Sequence, residues 1–232
     1  MSKTNPILEK KTFPVTGMTC AACASSVETI LSYTEGVQSA SVNFAASSVL
    51  VEYSQTTSPE SLQAALQSAG YDLILDAEDP NAAQEEAQLL YFQKVKKQTI
   101  GAGLLTLPVF VLGMFFMDWI PGRWISLGLS IPVLFYFGKD FYLHAWKQAG
   151  HGKANMDTLV ALSTGIAFVF SVFNTLFPEF WHSRGMHPHV YYEAATVIVV
   201  FISFGKLLEE RAKTGTSTAL KKLMGLQPKT LR

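Results

Sequence analysis

Cysteine is scarce in this chain of 232 residues, where only Cys20 and Cys23 are present. Two cysteines separated by two residues cannot provide the set of disulfide bonds that is typical of small secreted domains. A charge excess is also lacking, since 18 Lys and Arg balance 18 Asp and Glu. We therefore expect no nucleic-acid partner, because no broad basic face can follow phosphates. The cysteine pair instead indicates a metal or redox site in a reducing compartment.

Long apolar runs are lacking near the N-terminus, so we expect no secretory signal there. Residues 1–97 have the mixed composition of a soluble domain, whereas residues 98–208 are dominated by Leu, Val, Phe, Ile, Gly and Ala. The uneven composition predicts a soluble module followed by a membrane region.

The pattern from residue 10 to residue 76 predicts a small ferredoxin-like α+β domain with the order βαββαβ. Alternating apolar and polar residues predict four strands, and apolar residues at helical spacing predict two helices. Ser58 followed by Pro59 is a favourable start for the second helix. In chain order we expect a flexible tail at 1–9, a strand at 10–15, a helix at 21–32, strands near Val42 and at 49–53, a helix at 59–69 and a strand from Tyr71.

The heptapeptide GMTCAAC at 17–23 places both thiols on a loop that runs into a helix. The positive end of the helix lowers thiol pKa values, so protons compete weakly with metal. Sulfur ligands favour Cu(I), with Zn(II) and Hg(II) as competitors, and two ligands leave positions open for transfer, whereas structural zinc needs four. A thioredoxin-like redox pair is the alternative, but the usual aromatic-Gly/Pro dipeptide is missing. We predict a soft-metal site at Cys20 and Cys23.

This heptapeptide, the two-helix pattern and the closing Gly70-Tyr71 resemble a heavy-metal-associated domain. That family includes copper chaperones, mercury-binding proteins and the N-termini of copper ATPases. The resemblance implies a soft-metal cargo without choosing among these proteins.

Four apolar stretches predict an all-α transmembrane region of four helices at 98–210, since about 20 residues span a bilayer. Lysines between the second and third stretches and the basic C-terminus place both termini in the cytosol by the positive-inside rule. We therefore expect a multi-pass protein of the cell (inner) membrane. The spans are placed at about 98–117, 122–143, 157–177 and 190–208, after a linker helix at 77–97.

Three side chains of this region are candidates for a function in ion transport. Two of them are glutamates, and an ionisable residue within a membrane span is energetically costly. Glu193 lies inside the fourth predicted span near its outer end, and Glu209 follows about 24 Å further along a continuous helix, at the inner end. Met156 precedes the third span at the level of Glu209. Spacing alone is equally compatible with packing of Met156 and solvation of Glu209.

The strings NMDTL at 155–159, YEAA at 192–195 and GKLLE at 205–209 resemble core-helix motifs of copper-transporting P-type ATPases. The resemblance implies that Met156 and Glu209 take up Cu(I) and that Glu193 lies on the release path. It also implies a copper chaperone as partner and an extra helix pair in the first two spans. Family members often bend the second span at paired glycines, of which only Gly138 is present here.

The loop between the third and fourth predicted spans contains His182, Met186, His187 and His189. These side chains are compatible with binding of emerging metal, but a solvated loop is the more common state of such a cluster.

The catalytic motifs of a P-type pump are absent from this sequence. The string KTGT at 213–216 follows Ala212, where an Asp nucleophile would have to stand. An intramembrane Cys-Pro-Cys, a Thr-Gly-Glu loop and a G-x-x-x-x-G-K phosphate loop are absent as well. We expect residues 211–232 to begin a truncated actuator domain. The partners would be the remaining actuator, phosphorylation and nucleotide domains of the pump, and ATP and Mg are expected only in a complete pump.

Two functional hypotheses follow. The chain is the copper-binding and membrane portion of a Cu(I)-exporting P-type ATPase, inactive as an ATPase by itself, or a membrane-tethered copper or heavy-metal receptor or chaperone without ATPase activity. Mercury uptake is less favoured because it would require thiols within the spans, where the sequence has none. Zinc or cadmium pumping is less favoured because no carboxylate flanks the cysteine pair.

Overall fold

The computed structural model describes residues 8–75, 80–117, 119–150, 152, 154–183 and 185–224. The chain divides into two compact units, the first comprising residues 1–92 with 208–232 and the second comprising residues 93–207. Residues 1–7 of the predicted tail and 225–232 of the predicted actuator segment lie outside the described residues.

A four-stranded antiparallel sheet forms the body of the first unit, with the strand order β2-β3-β1-β4. The predicted ferredoxin-like fold is confirmed. The elements are β1 (Leu8–Thr16), α1 (Ala21–Ser32), β2 (Val37–Asn43), β3 (Ser48–Ser54), α2 (Pro59–Ser68) and β4 (Asp72–Leu73).

One face of this sheet is buried beneath the two helices. Val49, Val51 and Tyr53 of β3 are buried, as expected for alternate residues that point to one side of a strand. Apolar residues of α1 and α2 at helical spacing complete the same core. Ser58 caps α2 as its sequence predicts, because its hydroxyl accepts a hydrogen bond of 3.2 Å from the Ser61 N–H. The loop between β1 and α1 is thereby anchored on a packed core.

The remaining elements are helical, as the sequence predicts for the C-terminal region. They are α3 (Pro80–Phe115), α4 (Ile120–Pro132) with a π-helical turn at Val133–Phe137, α5 (Lys139–Gly150), α6 (Met156–Leu176), α7 (Glu179–His182) and α8 (Tyr192–Met224). Val133, Leu134, Val160, Ala195 and Val199 form the buried centre of the second unit.

Three of these helices are long and apolar enough to cross a membrane, at Ala82–Phe115, Ile120–Phe137 and Met156–Leu176 within the described residues. The fourth predicted span lies within α8, whose apolar stretch is interrupted by Glu193 and Lys206. Leu104, Leu159 and Phe201 are each about 70% exposed, which suits helix faces that contact lipid.

The helix boundaries differ from the sequence expectation at two places. The linker helix and the first span are one continuous helix, α3, which contains Pro108. The second span ends at Phe137, and Gly138 separates it from α5. A Cβ atom on Gly138 would lie 2.7 Å from the Leu134 carbonyl oxygen, so only glycine permits this close approach.

Candidate metal site

The loop between β1 and α1 is shaped by Gly17. This residue has a φ of +87°, and a Cβ atom there would lie 2.8 Å from the Gly70 carbonyl oxygen. Both facts require glycine, because other residues rarely adopt this conformation and have no room here. Met18 is buried in the domain core, so its thioether packs beneath the loop. The chain then enters α1 with Cys20 as the residue before its first turn.

The loop brings the two thiols together. The Sγ atoms of Cys20 and Cys23 are 2.9 Å apart, and both cysteines are free thiols. Cys23 is 1% exposed, while Cys20 is partly exposed. A linear ion with two metal–sulfur bonds of about 2.3 Å would span about 4.6 Å. The sulfurs must therefore separate when they share an ion, and the more exposed Cys20 is better placed to move.

Hydrogen bonds stabilise the thiolate form of Cys23. The Cys20 thiol makes the largest contribution, and Thr19 and the Tyr71 side chain add to it, which together lower the pKa of Cys23 from 9.0 to about 5 against the opposing effect of burial. The same neighbourhood raises the pKa of Tyr71, through burial first and the Cys23 charge second. One thiolate is therefore ready for a cation at neutral pH.

We predict that the dithiol pair of the folded chain loses its first proton with a midpoint near pH 5. Because the folded-state pKa is depressed, the thiolate is present above pH 5 and is lost as the pH falls through that value. The pH dependence of thiolate ultraviolet absorbance measures this midpoint. Thr19→Val is expected to raise the midpoint, whereas Thr12→Val on β1 should leave it unchanged. A midpoint between pH 8 and 9 in the native chain, the range of an ordinary thiol, would contradict the prediction.

Glu193, the predicted release residue, lies half-buried near the start of α8. A Cβ atom on Gly113 of α3 would lie 2.8 Å from its Oε2 atom. The missing side chain at Gly113 thus makes the space in which the Glu193 carboxylate lies. The sequence did not indicate this packing, because the two residues are far apart along the chain.

Met156, one of the two predicted uptake residues, is the first residue of α6 and is partly buried against the core of the second unit. Asn155 caps this helix, since its Oδ1 atom accepts a 3.0 Å hydrogen bond from the Thr158 N–H. The position of Met156 is therefore set by a well-formed helix start.

Next to Met156 lies a charged cluster that the sequence reasoning missed. Asp157 is 1% exposed, and its carboxylate lies 2.7 Å from Lys206 Nζ and 2.9 Å from His144 Nδ1. The Lys206 ammonium also lies 4.2 Å from the centre of the Phe141 ring. This Asp157 cluster joins α5, α6 and α8. The sequence did contain a signal for this cluster: Asp157 and Lys206 are ionisable residues at the edges of the apolar stretches of α6 and α8.

Glu209, the second predicted uptake residue, forms an ion pair with Lys213 at 3.0 Å. Its side chain is 36% exposed. Glu209 belongs to the first unit and Met156 to the second, so a shared uptake site stays a prediction. In the described part of the chain, no three or more His, Cys, Asp or Glu side chains approach closely enough to hold a metal ion.

A ferredoxin-like domain that presents two adjacent thiols at the start of its first helix defines a soft-metal-binding module. Residues 12–72 match the family model of the heavy-metal-associated domain, which confirms the family resemblance.

The whole chain is similar to copper-transporting P-type ATPases. A probable copper-transporting ATPase, PacS, of Synechocystis is 40% identical over 92% of this chain and 30% of its own length. A copper-exporting P-type ATPase of Staphylococcus epidermidis is 34% identical over 97% of this chain and 29% of its own length. The chain thus spans about a third of these curated relatives and fits the N-terminal portion of a copper-transporting P-type ATPase with its heavy-metal-associated domain.

Among solved structures, the N-terminal domain of a potential copper-translocating P-type ATPase from Bacillus subtilis, in its Cu(I)-loaded state, is 42% identical. The match covers 32% of this chain and 96% of that one, with a TM-score of 0.29.

Proposed function

We propose that Cys20 and Cys23 bind Cu(I) and that the chain provides the copper-binding and membrane portion of a Cu(I)-exporting P-type ATPase. The observation that carries this proposal is the pair of thiol sulfurs 2.9 Å apart at the start of α1. The lowered pKa of Cys23 supports it, because a thiolate is the form that binds a soft monovalent ion.

Transfer rather than storage suits this pair. Two ligands leave coordination positions unfilled, and the partly exposed Cys20 lies on the side from which a second thiol can attack the ion. A copper chaperone is the corresponding donor, with the ion passing between thiols. We place the metal-binding domain at 10–76 and the linker at 77–97.

The membrane region extends this proposal from binding to translocation. We assign Met156 and Glu209 to the uptake of Cu(I) and Glu193 to its release, at the two ends of a region at 98–210 with four spans. The thioether of Met156 suits a soft ion, and the space beside Gly113 supports a functional carboxylate at Glu193. Both termini face the cytosol of a cell-membrane protein.

ATP hydrolysis belongs to the complete pump in this proposal. The actuator domain would begin at 211–232, and ATP and Mg would bind to the phosphorylation and nucleotide domains. The sequence of this chain contains no phosphorylatable Asp in an Asp-Lys-Thr-Gly-Thr motif.

Two measurements test this function. The full chain in detergent micelles, kept reduced, is titrated with Cu(I) against a chelator that competes for the ion; we expect one tightly bound ion at the cysteine pair and weaker binding of Zn(II). An antibody against residues 10–75 then measures the mass of the native membrane protein. A band far heavier than 25.5 kDa supports the pump, whereas a single band at that mass favours the receptor hypothesis. A chain that fails to bind Cu(I) contradicts both.

A further inference from the structure

The segment between α6 and α8 is held to α6 by several hydrogen bonds. Asn174 is 1% exposed, and its side-chain amide donates to the His189 carbonyl oxygen at 2.6 Å and accepts from Trp181 Nε1 at 2.7 Å. Nearby, the Tyr191 N–H donates to Ser171 Oγ at 2.7 Å. A segment tied to α6 at several points loses much of the conformational freedom of an ordinary solvated loop.

This ordered segment brings soft and borderline metal ligands together. The ring centres of His182 and His187 are 6.1 Å apart, with the planes nearly perpendicular. Met186 lies between them in sequence, is 45% exposed and lines an open pocket of about 340 Å³ with His187 and His189. The Met186 thioether and the His187 imidazole line this pocket, and the exposed His182 ring lies beside His187.

We propose that His182, Met186 and His187 form a second Cu(I) site, separate from the cysteine pair. Thioether sulfur and imidazole nitrogen are suitable ligands for a soft monovalent ion, which accepts two or three ligands. A structural zinc site would need four ligands, usually including thiolates, and no group of three His, Cys, Asp or Glu side chains is assembled in the described ranges. The ligand set therefore selects Cu(I) over Zn(II).

The position of this site gives it a role in release, a step that rests on the function proposed above. His189 and Tyr191 line the pocket and directly precede α8, which begins at Tyr192 and carries Glu193 in its first turn. The segment that lines the pocket therefore leads into the helix turn that holds the carboxylate assigned to release. In the proposed orientation, the segment faces the side of the membrane opposite the cysteine pair. Its ligands are neutral and hold a cation less tightly than thiolates do. An ion that leaves Glu193 is thus received by a site that also gives it up.

The test removes the first site so that the second can be measured alone. The full chain with Cys20→Ser and Cys23→Ser, in detergent micelles with ascorbate, is titrated with Cu(I) against a weak chelator at pH 7. We expect one bound ion whose X-ray absorption shows both nitrogen and sulfur ligands. In the same background, His182→Ala with His187→Ala should weaken binding by about tenfold or more. Met186→Leu should remove the sulfur contribution.

Two control variants show whether a substitution elsewhere in the chain changes Cu(I) binding. Met114→Leu replaces an exposed methionine of α3, and His151→Ala replaces a histidine outside the described residues; both should leave affinity and spectra unchanged. Circular dichroism checks that each variant remains helical. Absence of Cu(I) binding in the cysteine-free chain, or equal binding after loss of both histidines, overturns the second site. The cysteine-pair proposal is judged separately, by titration of the parent chain.

Discussion

Replacing both Cys20 and Cys23 by serine is expected to abolish the tight Cu(I) binding of the N-terminal domain. A serine hydroxyl is a hard, protonated ligand at neutral pH, whereas the native pair offers soft sulfur with one thiolate already formed. Competition with a strong Cu(I) chelator should show stoichiometric binding in the parent chain and none at this site in the double variant.

The single variants separate the two thiols. Cys20→Ser changes a partly exposed side chain and should leave domain stability nearly unchanged. Cys23→Ser places a hydroxyl at a position that is 1% exposed, so it should also lower stability by about 1–3 kcal/mol. Thermal unfolding of the domain measures this difference.

Met18→Leu is the matched control for the cysteine variants. Met18 is part of the same loop, but its side chain is 6% exposed and packs in the core, and leucine preserves most of this packing. Cu(I) affinity should be unchanged. Tight stoichiometric binding that survives in the double cysteine variant under strong competition would disprove the site assignment.

Asp157→Asn is expected to have the largest effect on the stability of the helical region. The substitution keeps the shape of the side chain but removes the charge that faces Lys206, which is 8% exposed, at 2.7 Å. An ammonium ion left buried without its partner costs about 3–5 kcal/mol. Tryptophan fluorescence during denaturation in micelles should show a correspondingly earlier transition.

A second substitution distinguishes loss of the ion pair from loss of packing. Asp157→Asn with Lys206→Met removes both charges and should recover most of the lost stability, because methionine is apolar and similar in length to the lysine stem. Asp140→Asn is the comparison, since the Lys94–Asp140 pair is 49% and 25% exposed and is expected to contribute at most about 1 kcal/mol. Equal effects of Asp157→Asn and Asp140→Asn would contradict the importance of burial.

Local sequence patterns were sufficient to predict many of the secondary-structure elements of this protein. The helix predicted at 21–32 and the start of α2 after Ser58 match the structure, because helix starts and apolar spacing depend on neighbouring residues. The cysteine pair could be found for the same reason, since Cys20 and Cys23 are only three positions apart, at the start of one helix. Hydropathy likewise located the apolar helices, because spanning a bilayer is a property of one continuous segment.

Helix continuity was harder to predict. The linker and first span appear distinct in composition, yet they form the single helix α3, because a change from charged to apolar residues does not interrupt the backbone hydrogen bonds of a helix. The break at Gly138 depends on a close approach to the Leu134 carbonyl oxygen, for which a single glycine is sufficient.

The sequence by itself thus determined the ferredoxin-like order, the close spacing of the candidate soft-metal ligands and the apolar character of the helical region. Only the tertiary structure decided that His144 and Lys206 meet at Asp157, that Gly113 makes room for Glu193 and that Asn174 holds the histidine-containing segment. These contacts join residues on different helices or on a helix and a loop. Their distances depend on how the helices pack, and helix packing is set by the shape of whole surfaces that no local pattern records.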